Sequence, residues 1–397
     1  MNSDAFIPYA RQQIDDDDIA AVMAVLKSDF LTTGPATGEF ENKLAEATGA
    51  TFAVACSSGT AGLHLAALAL SLKPGDKVIV PSLTFLATAN AARYLGADVV
   101  FADVDPDSGL MGGEHVVRAI ERGGDGIKAV FPVHLAGQCA DMAEISAIAA
   151  GRGLAIVEDA CHAIGATYNN SAAGSCIYGD MAVFSFHPVK TITMGEGGAV
   201  TTNNQALGER LALLRNHGMT RGAGDFVHPG EALAEDGSAN AWYYEMQEMG
   251  LNYRPSDIHC ALGLSQLKKL DAHVRRRREL AAKYDELLSP LAPLLRPITR
   301  LFGQNPAWHL YPVLIDFNGL GMSRQTVMAK LFEAGIGTQV HYIPVHRQPY
   351  YRDLYGETDL PGADTYYARE LSLPLFPGMS EADAERVAAT LGDIING

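Results

Sequence analysis

Short apolar segments alternate with stretches of helical periodicity over the first two thirds of the chain. The helical stretches are rich in Ala and Leu, as in residues 62–71. Strands that alternate with helices in this way are typical of a largely parallel sheet with helices on both faces. We therefore predict an α/β fold with strands at residues 51–55, 77–80, 99–102, 129–133, 155–157 and 182–186.

The composition changes beyond residue 288, and a second, smaller α+β unit is predicted in the C-terminal part of the chain. We expect an N-terminal segment at residues 1–30, a large domain at residues 31–270 and a small domain at residues 271–397. The longest helical pattern runs over residues 257–288, and residues 222–240, rich in small and polar side chains, are predicted to form a loop. Further elements are expected as strands at 309–316 and 337–342 and as helices at 323–334 and 380–395.

The overall charge limits the classes of partner. The 30 basic and 46 acidic residues give a net charge of −16, which argues against nucleic acid as the main partner because phosphate contacts need a basic surface. The acidic run at residues 15–18 is expected to begin a helix, where carboxylates oppose the positive end of the helix dipole. An anionic substrate is still compatible with this charge, since a local site can be positive on a negative protein.

The sequence carries no signal of secretion or membrane insertion. Its five cysteines are an odd number without a C-x-x-C pair, which favours reduced thiols in a reducing compartment. The N-terminus lacks the basic and apolar regions of a signal peptide. No apolar run reaches the roughly 18 residues that a membrane helix needs. A soluble, cytoplasmic protein without a membrane partner is expected.

Polar or aromatic side chains follow several of the predicted strands. Ser58, Phe85, Asp159 and Lys190 each stand just after one, and ligands of such folds bind beyond the carboxyl ends of the strands. Lys190 lies between an aromatic strand and the glycine-rich residues 195–198, an unusual place for a solvated charge. An amine and a carboxylate at two strand ends suit pyridoxal 5'-phosphate (PLP), because the amine bonds the aldehyde and the carboxylate keeps the ring nitrogen protonated.

A candidate phosphate site precedes these residues. Residues 57–60, Ser-Ser-Gly-Thr, follow a strand and begin a helix. Small residues let backbone N–H groups approach a phosphate, and a helix N-terminus favours the anion. Many strand-to-helix turns look like this, so the interpretation depends on the combination with Asp159 and Lys190. Ser185 is a further candidate hydroxyl donor to the same phosphate.

Each of these residues also has a purely structural interpretation. Asp159 could cap a helix, and Lys190 could be a surface lysine. Phe85 could stack on a flat ring or pack in the core, and His162 could bond the phenolic oxygen of the ring or be a buried core histidine.

With these residues taken together, the chain resembles the PLP-dependent nucleotide-sugar aminotransferases of fold type I. The resemblance covers nearly the whole length, and the combination of segments is specific although no single segment is. The segments that carry it are residues 31–35, 57–60, 158–162, 185–190, 252–254 and 341–346.

The resemblance implies roles for individual residues around the cofactor. It makes Lys190 the Schiff-base lysine, Asp159 the partner of the pyridinium nitrogen and Phe85 the stacking aromatic. Asn252 would reach the cofactor phosphate of the other subunit, which implies a homodimer with shared sites. The groups expected around the phosphate and the substrate edge are Ser58, Gly59, Thr60 and Ser185.

The resemblance also implies the substrates. The sugar nucleotide would be lined by Tyr9, Asp29, Phe30, Leu31, Thr32, Gln339, Val340, His341 and Tyr342. Tyr9 and residues 31–35, 261–269 and 339–342 are similar to a family member of pseudaminic acid biosynthesis. They imply transfer of an amino group from L-glutamate to C4 of a UDP-4-keto-6-deoxy-N-acetylhexosamine, which gives UDP-4-amino-4,6-dideoxy-N-acetyl-β-L-altrosamine.

Other functions remain as alternatives. The same chemistry serves GDP- and dTDP-linked keto sugars and transfer at C3, and a non-catalytic PLP-fold binding protein is a further possibility. Lys190 argues against the related sugar dehydratases, which carry histidine there. A nicotinamide dehydrogenase is excluded because no G-x-G-x-x-G follows a strand. No metal is expected, since the spacing of His341 and His346 does not fit a zinc site.

Overall fold

The computed structural model describes residues 5–397. Among these residues the α-helices are α1 (Asp16–Leu26), α2 (Pro35–Thr48), α3 (Gly59–Ala69), α4 (Leu86–Arg93), α5 (Gly113–Gly123), α6 (Met142–Ala150), α7 (Gln205–Arg215), α8 (Pro229–Ala232), α9 (Asp257–Leu267), α10 (Leu270–Leu288), α11 (Arg324–Glu333), α12 (Pro349–Tyr355), α13 (Pro361–Arg369) and α14 (Glu381–Asn396). The strands are β1 (Phe52–Cys56), β2 (Lys77–Pro81), β3 (Asp98–Ala102), β4 (Ile127–Val130), β5 (Ala155–Asp159), β6 (Thr167–Tyr168), β7 (Ser171–Ala172), β8 (Met181–Ser185), β9 (Gly198–Thr202), β10 (Met219–Thr220), β11 (Glu245–Met246), β12 (Leu295–Pro297), β13 (Gln304–Asn305), β14 (Tyr311–Ile315) and β15 (Glu370–Leu373).

A seven-stranded sheet in the order β1-β9-β8-β5-β4-β2-β3 forms the centre of the molecule. Strands β8, β5, β4, β2 and β3 are parallel, and β9 runs antiparallel between β1 and β8. Helices cover both faces, which is why apolar side chains on both sides of the strands are buried. The predicted α/β fold is confirmed.

Strand β9 was missed because its sequence, Gly-Ala-Val-Thr-Thr, has neither a continuous apolar run nor a clear alternation. The order of the strands has a consequence for the site. Because β1 and β8 point the same way and β5 is parallel to β8, the residues that follow these three strands meet at one edge of the sheet.

A smaller antiparallel sheet, β12-β14-β15, belongs to the C-terminal part of the chain. The predicted strand at residues 337–342 is wrong, since the segment makes only one isolated bridge, between Gln339 and Ser372. The long helical pattern at residues 257–288 divides into α9 and α10, and the predicted loop at residues 222–240 contains the short helix α8.

The N-terminal segment pairs with the C-terminal part of the chain. Its first four residues lie outside the described residues. Ile7 forms a parallel bridge with Ile336, and the N–H of Leu375 donates to the carbonyl of Tyr9 at 3.0 Å. Strand β13, in the predicted small domain, pairs with β6, in the predicted large domain. The domain limits at residues 30 and 270 stay predictions. Among residues 5–397, no helix combines the length and the apolar character that crossing a bilayer requires.

Helix α3 begins unusually close to β8 and β9. A Cβ on Gly198, the first residue of β9, would lie 2.4 Å from the carbonyl carbon and oxygen of Ser58. A Cβ on Gly59 would lie 2.8 Å from the Cβ of Ser185, at the end of β8. The two glycines therefore allow the first turn of α3 to lie directly against the ends of the two strands.

We predict that Gly198→Ala destabilises the protein by about 2 kcal/mol, because its methyl group would meet main-chain atoms that cannot move without displacing the turn at Ser58. Urea unfolding measures the difference. Gly38→Ala is the matched control, since its Cβ would have open space in α2 and should raise stability by about 0.5 kcal/mol. Equal stability of Gly198→Ala and wild type would show that this close approach does not constrain the turn.

Candidate active site

The ends of β1, β5 and β8 open into a cavity of about 850 Å³. Its wall combines residues from the central sheet, from the N-terminal segment and from the region before β15. Most of the predicted site residues line it, namely Tyr9, Ser58, Gly59, Thr60, Phe85, Asp159, His162, Ser185, Lys190, Gln339, Val340, His341 and Tyr342.

Five predicted residues do not line the cavity of the single chain: Asp29, Phe30, Leu31, Thr32 and Asn252. All five are exposed. Asn252 forms a bridge with Asn216, and Thr32 forms one with Ser256. One chain alone therefore does not bring these residues to the other groups.

The N-terminus of α3 presents several hydrogen-bond donors to the cavity. Ser58 caps this helix, its Oγ accepting the N–H of Ala61 at 3.1 Å, and Gly59 and Thr60 form the first turn. The first N–H groups of a helix have no partner within the helix, and its dipole favours an anion there. With the hydroxyls of Thr60 and Ser185 nearby, this turn suits a phosphate group.

Asp159 is a buried carboxylate held by two donors. Its Oδ2 accepts the hydroxyl of Thr88 at 2.6 Å, and its Oδ1 accepts the N–H of Cys161 at 3.2 Å. Thr88 in turn lies 2.8 Å from the hydroxyl of Thr84. No helix begins directly after Asp159, so the interpretation of this residue as a helix cap is wrong. The carboxylate is held in one orientation at the edge of the sheet.

Thr88 was not among the predicted site residues. It lies in the first turn of α4, three residues after Phe85, which precedes the helix with an extended backbone. In the sequence Thr88 looks like an ordinary small helical residue, because Asp159 is 71 residues away and only the fold brings the two side chains together.

Lys190 lies in the cavity wall after the turn that follows β8. Burial lowers the pKa of its ammonium group, because the charged form loses hydration, while Cys161 and Asp159 nearby oppose the shift. The interpretation as a solvated surface lysine is wrong. A side-chain amine that loses its proton easily can act as a nucleophile and as a base.

His162 is buried and neutral. Burial, with Lys190 and His341 nearby, holds the pKa of this imidazole well below its usual range. Its Nε2 lies 3.2 Å from the hydroxyl of Tyr342, and its ring packs on that of His309 with centroids 4.5 Å apart. Within residues 5–397, its buried Nδ1 has no hydrogen-bond partner. When Nε2 accepts from Tyr342, Nδ1 carries the proton and remains a donor for a bound oxygen.

Phe85 presents its ring to the cavity. The side chain is 55% exposed in a chain with an otherwise well-buried core, so it does not serve core packing. Tyr342 lies across from it, with ring centroids 6.1 Å apart. An aromatic face at this position can stack on a flat ring.

Glu158 and Asp159 point to opposite sides of β5, as neighbours on a strand must. Glu158 accepts from Nε2 of the buried His134 at 2.9 Å, and the Nδ1 of His134 accepts the N–H of Ala140 at 3.2 Å. Neither His134 nor Glu158 lines the cavity. Of the two neighbouring carboxylates on β5, only Asp159 faces it. Within the described residues, no group of three His, Cys, Asp or Glu side chains could hold a metal ion.

The cavity fits PLP. It offers donors for a phosphate at α3, an amine at Lys190, a carboxylate at Asp159, an exposed aromatic face at Phe85 and a ring nitrogen without a partner at His162. These are the groups that a phosphorylated pyridine aldehyde with a phenolic oxygen requires.

Comparison with known proteins gives the same assignment. The spore coat polysaccharide biosynthesis protein SpsC of Bacillus subtilis is 39% identical over 395 residues, which are 99% of this chain and 98% of that protein. The structure of PseC from Helicobacter pylori, an aminotransferase involved in the biosynthesis of pseudoaminic acid, has a TM-score of 0.88 at 29% identity and covers 98% of this chain and 99% of that chain.

The PLP form of the putative sugar aminotransferase Spr1654 from Streptococcus pneumoniae has a TM-score of 0.87 at 27% identity, with 98% and 99% of the two chains covered. A second structure of that protein holds its PMP form. The sequence itself matches the DegT/DnrJ/EryC1/StrS aminotransferase family over residues 12–392. The chain thus belongs to the DegT/DnrJ/EryC1/StrS family and is a PLP-dependent sugar aminotransferase.

Proposed function

We propose that this aminotransferase moves an amino group from L-glutamate to C4 of a UDP-linked 4-keto-6-deoxy-N-acetylhexosamine, the step that gives UDP-4-amino-4,6-dideoxy-N-acetyl-β-L-altrosamine in pseudaminic acid formation. The observation that carries the transaminase chemistry is the meeting of Lys190, Asp159 and the Ser58 turn in one cavity. The similarity to PseC over nearly the whole of both chains supports the choice of sugar.

The size of the cavity is compatible with this substrate. Ligand pockets commonly have volumes of roughly 300–1,000 Å³, and the cavity of about 850 Å³ lies in the upper part of this range. The part of the wall formed by Tyr9 and residues 339–342 lies on chain segments separate from the sheet that carries Lys190 and Asp159. We assign that part to the sugar.

Pyridoxal phosphate supplies an electrophilic carbon and an electron-accepting ring when it is bound. Lys190 Nζ takes the α-proton of the amino donor and later returns it, because burial favours the neutral amine. The Asp159 carboxylate holds a proton at the ring nitrogen, and Thr88 keeps that carboxylate in place. The same groups act in reverse when the keto sugar accepts the amino group.

The single chain offers little positive charge to a diphosphate. Lys190 is the one lysine or arginine in the cavity wall formed by the described residues. Arg254 stands two residues after Asn252, and neither residue lines this cavity. We assign Asn252 and residues 29–32 to the site of a second copy, where they would complete the binding of the cofactor phosphate and the sugar nucleotide.

Exposed apolar side chains support a homodimer. Ile19, Met23 and Leu26 form an exposed row on α1, and Phe30 and Leu31 continue it. The segment before Asn252 is also apolar and exposed, with Trp242, Tyr244, Met246 and Met249 at 54–81% exposure. Apolar surface of this extent is typical of an interface, and both patches adjoin residues that the single chain leaves away from its own cavity.

The substrate assignment predicts a preference within an acceptor panel. The PLP-loaded enzyme with L-glutamate should aminate the UDP-linked 4-keto sugar with a kcat/KM at least about tenfold above that for GDP- and dTDP-linked analogues. The mass of the product gives the amination, and NMR of the product gives the position of the nitrogen. Equal use of all three nucleotides, or nitrogen at C3, would contradict the assignment of the UDP-linked C4 substrate.

Thr88→Val should lower kcat of the glutamate half-reaction about tenfold, since the buried Asp159 carboxylate would lose its shortest hydrogen bond. Thr88→Ser keeps the hydroxyl and serves as the control, with an expected loss below about threefold. The rate is measured by stopped-flow absorbance at saturating cofactor. A Thr88→Val enzyme as fast as Thr88→Ser would show that the threonine does not support the carboxylate.

The shared site predicts complementation between two inactive variants. Lys190→Ala and Asn252→Ala are each expected to lose most activity as homodimers. A mixed dimer would have one site with both defects and one intact site. Refolding an equal mixture should therefore recover about a quarter of the wild-type activity, since random pairing makes about half of the dimers mixed. No recovery, with mixed dimers demonstrated by differently tagged chains, would place Asn252 in the site of its own chain.

A further inference from the structure

His341 in the cavity wall is connected to a buried carboxyl group through a serine. Its Nδ1 lies 2.8 Å from the hydroxyl of Ser372, and this hydroxyl lies 2.6 Å from Oε1 of Glu370. The other carboxyl oxygen, Oε2, accepts the backbone N–H of His341 at 2.9 Å. Glu370 and Ser372 are both fully buried on β15. Because Nδ1 turns toward Ser372, Nε2 on the far side of the ring is the nitrogen left for the cavity.

The proton positions in this chain of hydrogen bonds depend on one another. A serine hydroxyl has one hydrogen to donate. When Glu370 is a carboxylate, Ser372 donates to it, so that Nδ1 of His341 must donate to Ser372 and Nε2 is left as an acceptor. When Glu370 carries a proton, it can donate to Ser372, Ser372 can donate to Nδ1, and Nε2 then holds the ring proton.

The imidazole itself stays neutral through both arrangements. Burial, with Lys190 nearby, lowers the pKa of His341 to about 3. Burial raises the pKa of Glu370 to about 8, although Ser372 and the backbone N–H of His341 both stabilise the carboxylate. Glu370 is therefore the group whose proton changes in the neutral to mildly alkaline range.

Few other charged groups face this carboxyl. The guanidinium of Arg324 is directed to the carbonyls of Tyr367 and Glu370, and it lowers the pKa of the Glu370 side chain only in part. The phenols of Tyr342 and Tyr366 lie near Glu370, and burial raises the pKa of both, so they stay protonated. On the cavity side, Lys190 is near His341, and His162 and His309 are neutral.

We propose that Glu370 determines, through Ser372, which ring nitrogen of His341 carries the proton, and that the Nε2 acceptor form binds a hydroxyl or amide N–H of the sugar substrate. Glu370 and Ser372 are then positioning residues that lie outside the cavity and act through His341. This inference rests on the proposed function in one respect, namely that residues 339–342 face the sugar.

The inference predicts how the KM of the keto sugar depends on pH. Only the fraction of enzyme with ionised Glu370 presents the acceptor, so KM in the wild type should fall about tenfold between about pH 7 and about pH 9. Glu370→Gln offers an amide N–H to Ser372 in place of a carboxylate oxygen. It should fix the proton on Nε2 and give a KM that is about tenfold above the wild type at about pH 9 and independent of pH.

Three control variants and the glutamate half-reaction separate a positioning role of Glu370 from damage to the fold. Ser372→Thr keeps the hydroxyl and should keep the pH dependence, whereas Ser372→Ala should lose it. Glu121→Gln changes an exposed carboxylate on α5 and should behave as wild type. The glutamate half-reaction, which does not involve the sugar, should change less than about twofold in Glu370→Gln relative to wild type at each pH.

A direct readout needs no sugar. Solid-state NMR of enzyme labelled with ¹⁵N-histidine distinguishes protonated from unprotonated ring nitrogens, and His341→Asn identifies the signal of His341. We expect Nε2 to change from protonated to unprotonated between about pH 7 and about pH 9 in the wild type and to stay protonated in Glu370→Gln.

The outcomes are separable. An Nε2 signal that does not change with pH, or changes equally in Glu370→Gln, overturns the relay. A changing Nε2 signal with an unchanged KM overturns the contact with the sugar. An enzyme that aminates no nucleotide sugar overturns the proposed function, while the NMR experiment still decides the relay.

Discussion

The close packing of helix α3 against the ends of β8 and β9 is the constraint on which the active site depends. Side chains on Gly59 and Gly198 would overlap with Ser185 and Ser58, so the turn at Ser58 can reach its position only because both residues lack a Cβ. This contact places the hydroxyls of Ser58 and Ser185 at the same edge of the sheet. Asp159 is the last residue of β5 and Lys190 stands after β8, so their carboxylate and amine lie at the same edge. The geometry of the cofactor site is thus decided mainly by main-chain packing.

Around this frame, burial disfavours charge on the basic side chains of the cavity. Burial favours the neutral forms of Lys190, His162, His309 and His341, each by removing the charged form from water. Two carboxylates line the cavity: Asp159, which has donors in Thr88 and the N–H of Cys161, and the exposed Glu196. An amine whose charged form is disfavoured by burial, close to a hydrogen-bonded carboxyl group, is a suitable arrangement for proton transfer. The strongly acidic surface of the chain therefore says little about the site.

The central sheet, and the meeting of Ser58, Asp159 and Lys190 in one cavity, could be predicted from the sequence because both depend on local signals. Apolar runs marked the strands, and the residues just after them had to meet at one edge. The supporting groups gave no such signal. Thr88 contacts Asp159 across 71 residues, and Glu370 contacts His341 across 29, so each looks ordinary in its own segment. The prediction of a strand at residues 337–342 was wrong because this segment makes a single isolated β-bridge, at Gln339. Asn252 follows from family resemblance alone, since one chain leaves it outside the cavity.

The two ends of the cavity have different structural origins, and this difference bears on specificity. The cofactor end is built on the buried central sheet, where a change in one residue disturbs the packing of its neighbours. The opposite end is formed by Tyr9 and residues 339–342, which are held by a few main-chain pairs, Ile7 with Ile336 and Tyr9 with Leu375. These segments can change side chains without altering Lys190, Asp159 or the turn at Ser58. A family with this division can keep one amino-transfer chemistry while its members accept different sugars. On the proposed assignment of this end to the sugar, the buried link from His341 to Glu370 gives it one fixed point, because a hydrogen-bonding group that faces a sugar is useful only when its donor or acceptor character is defined.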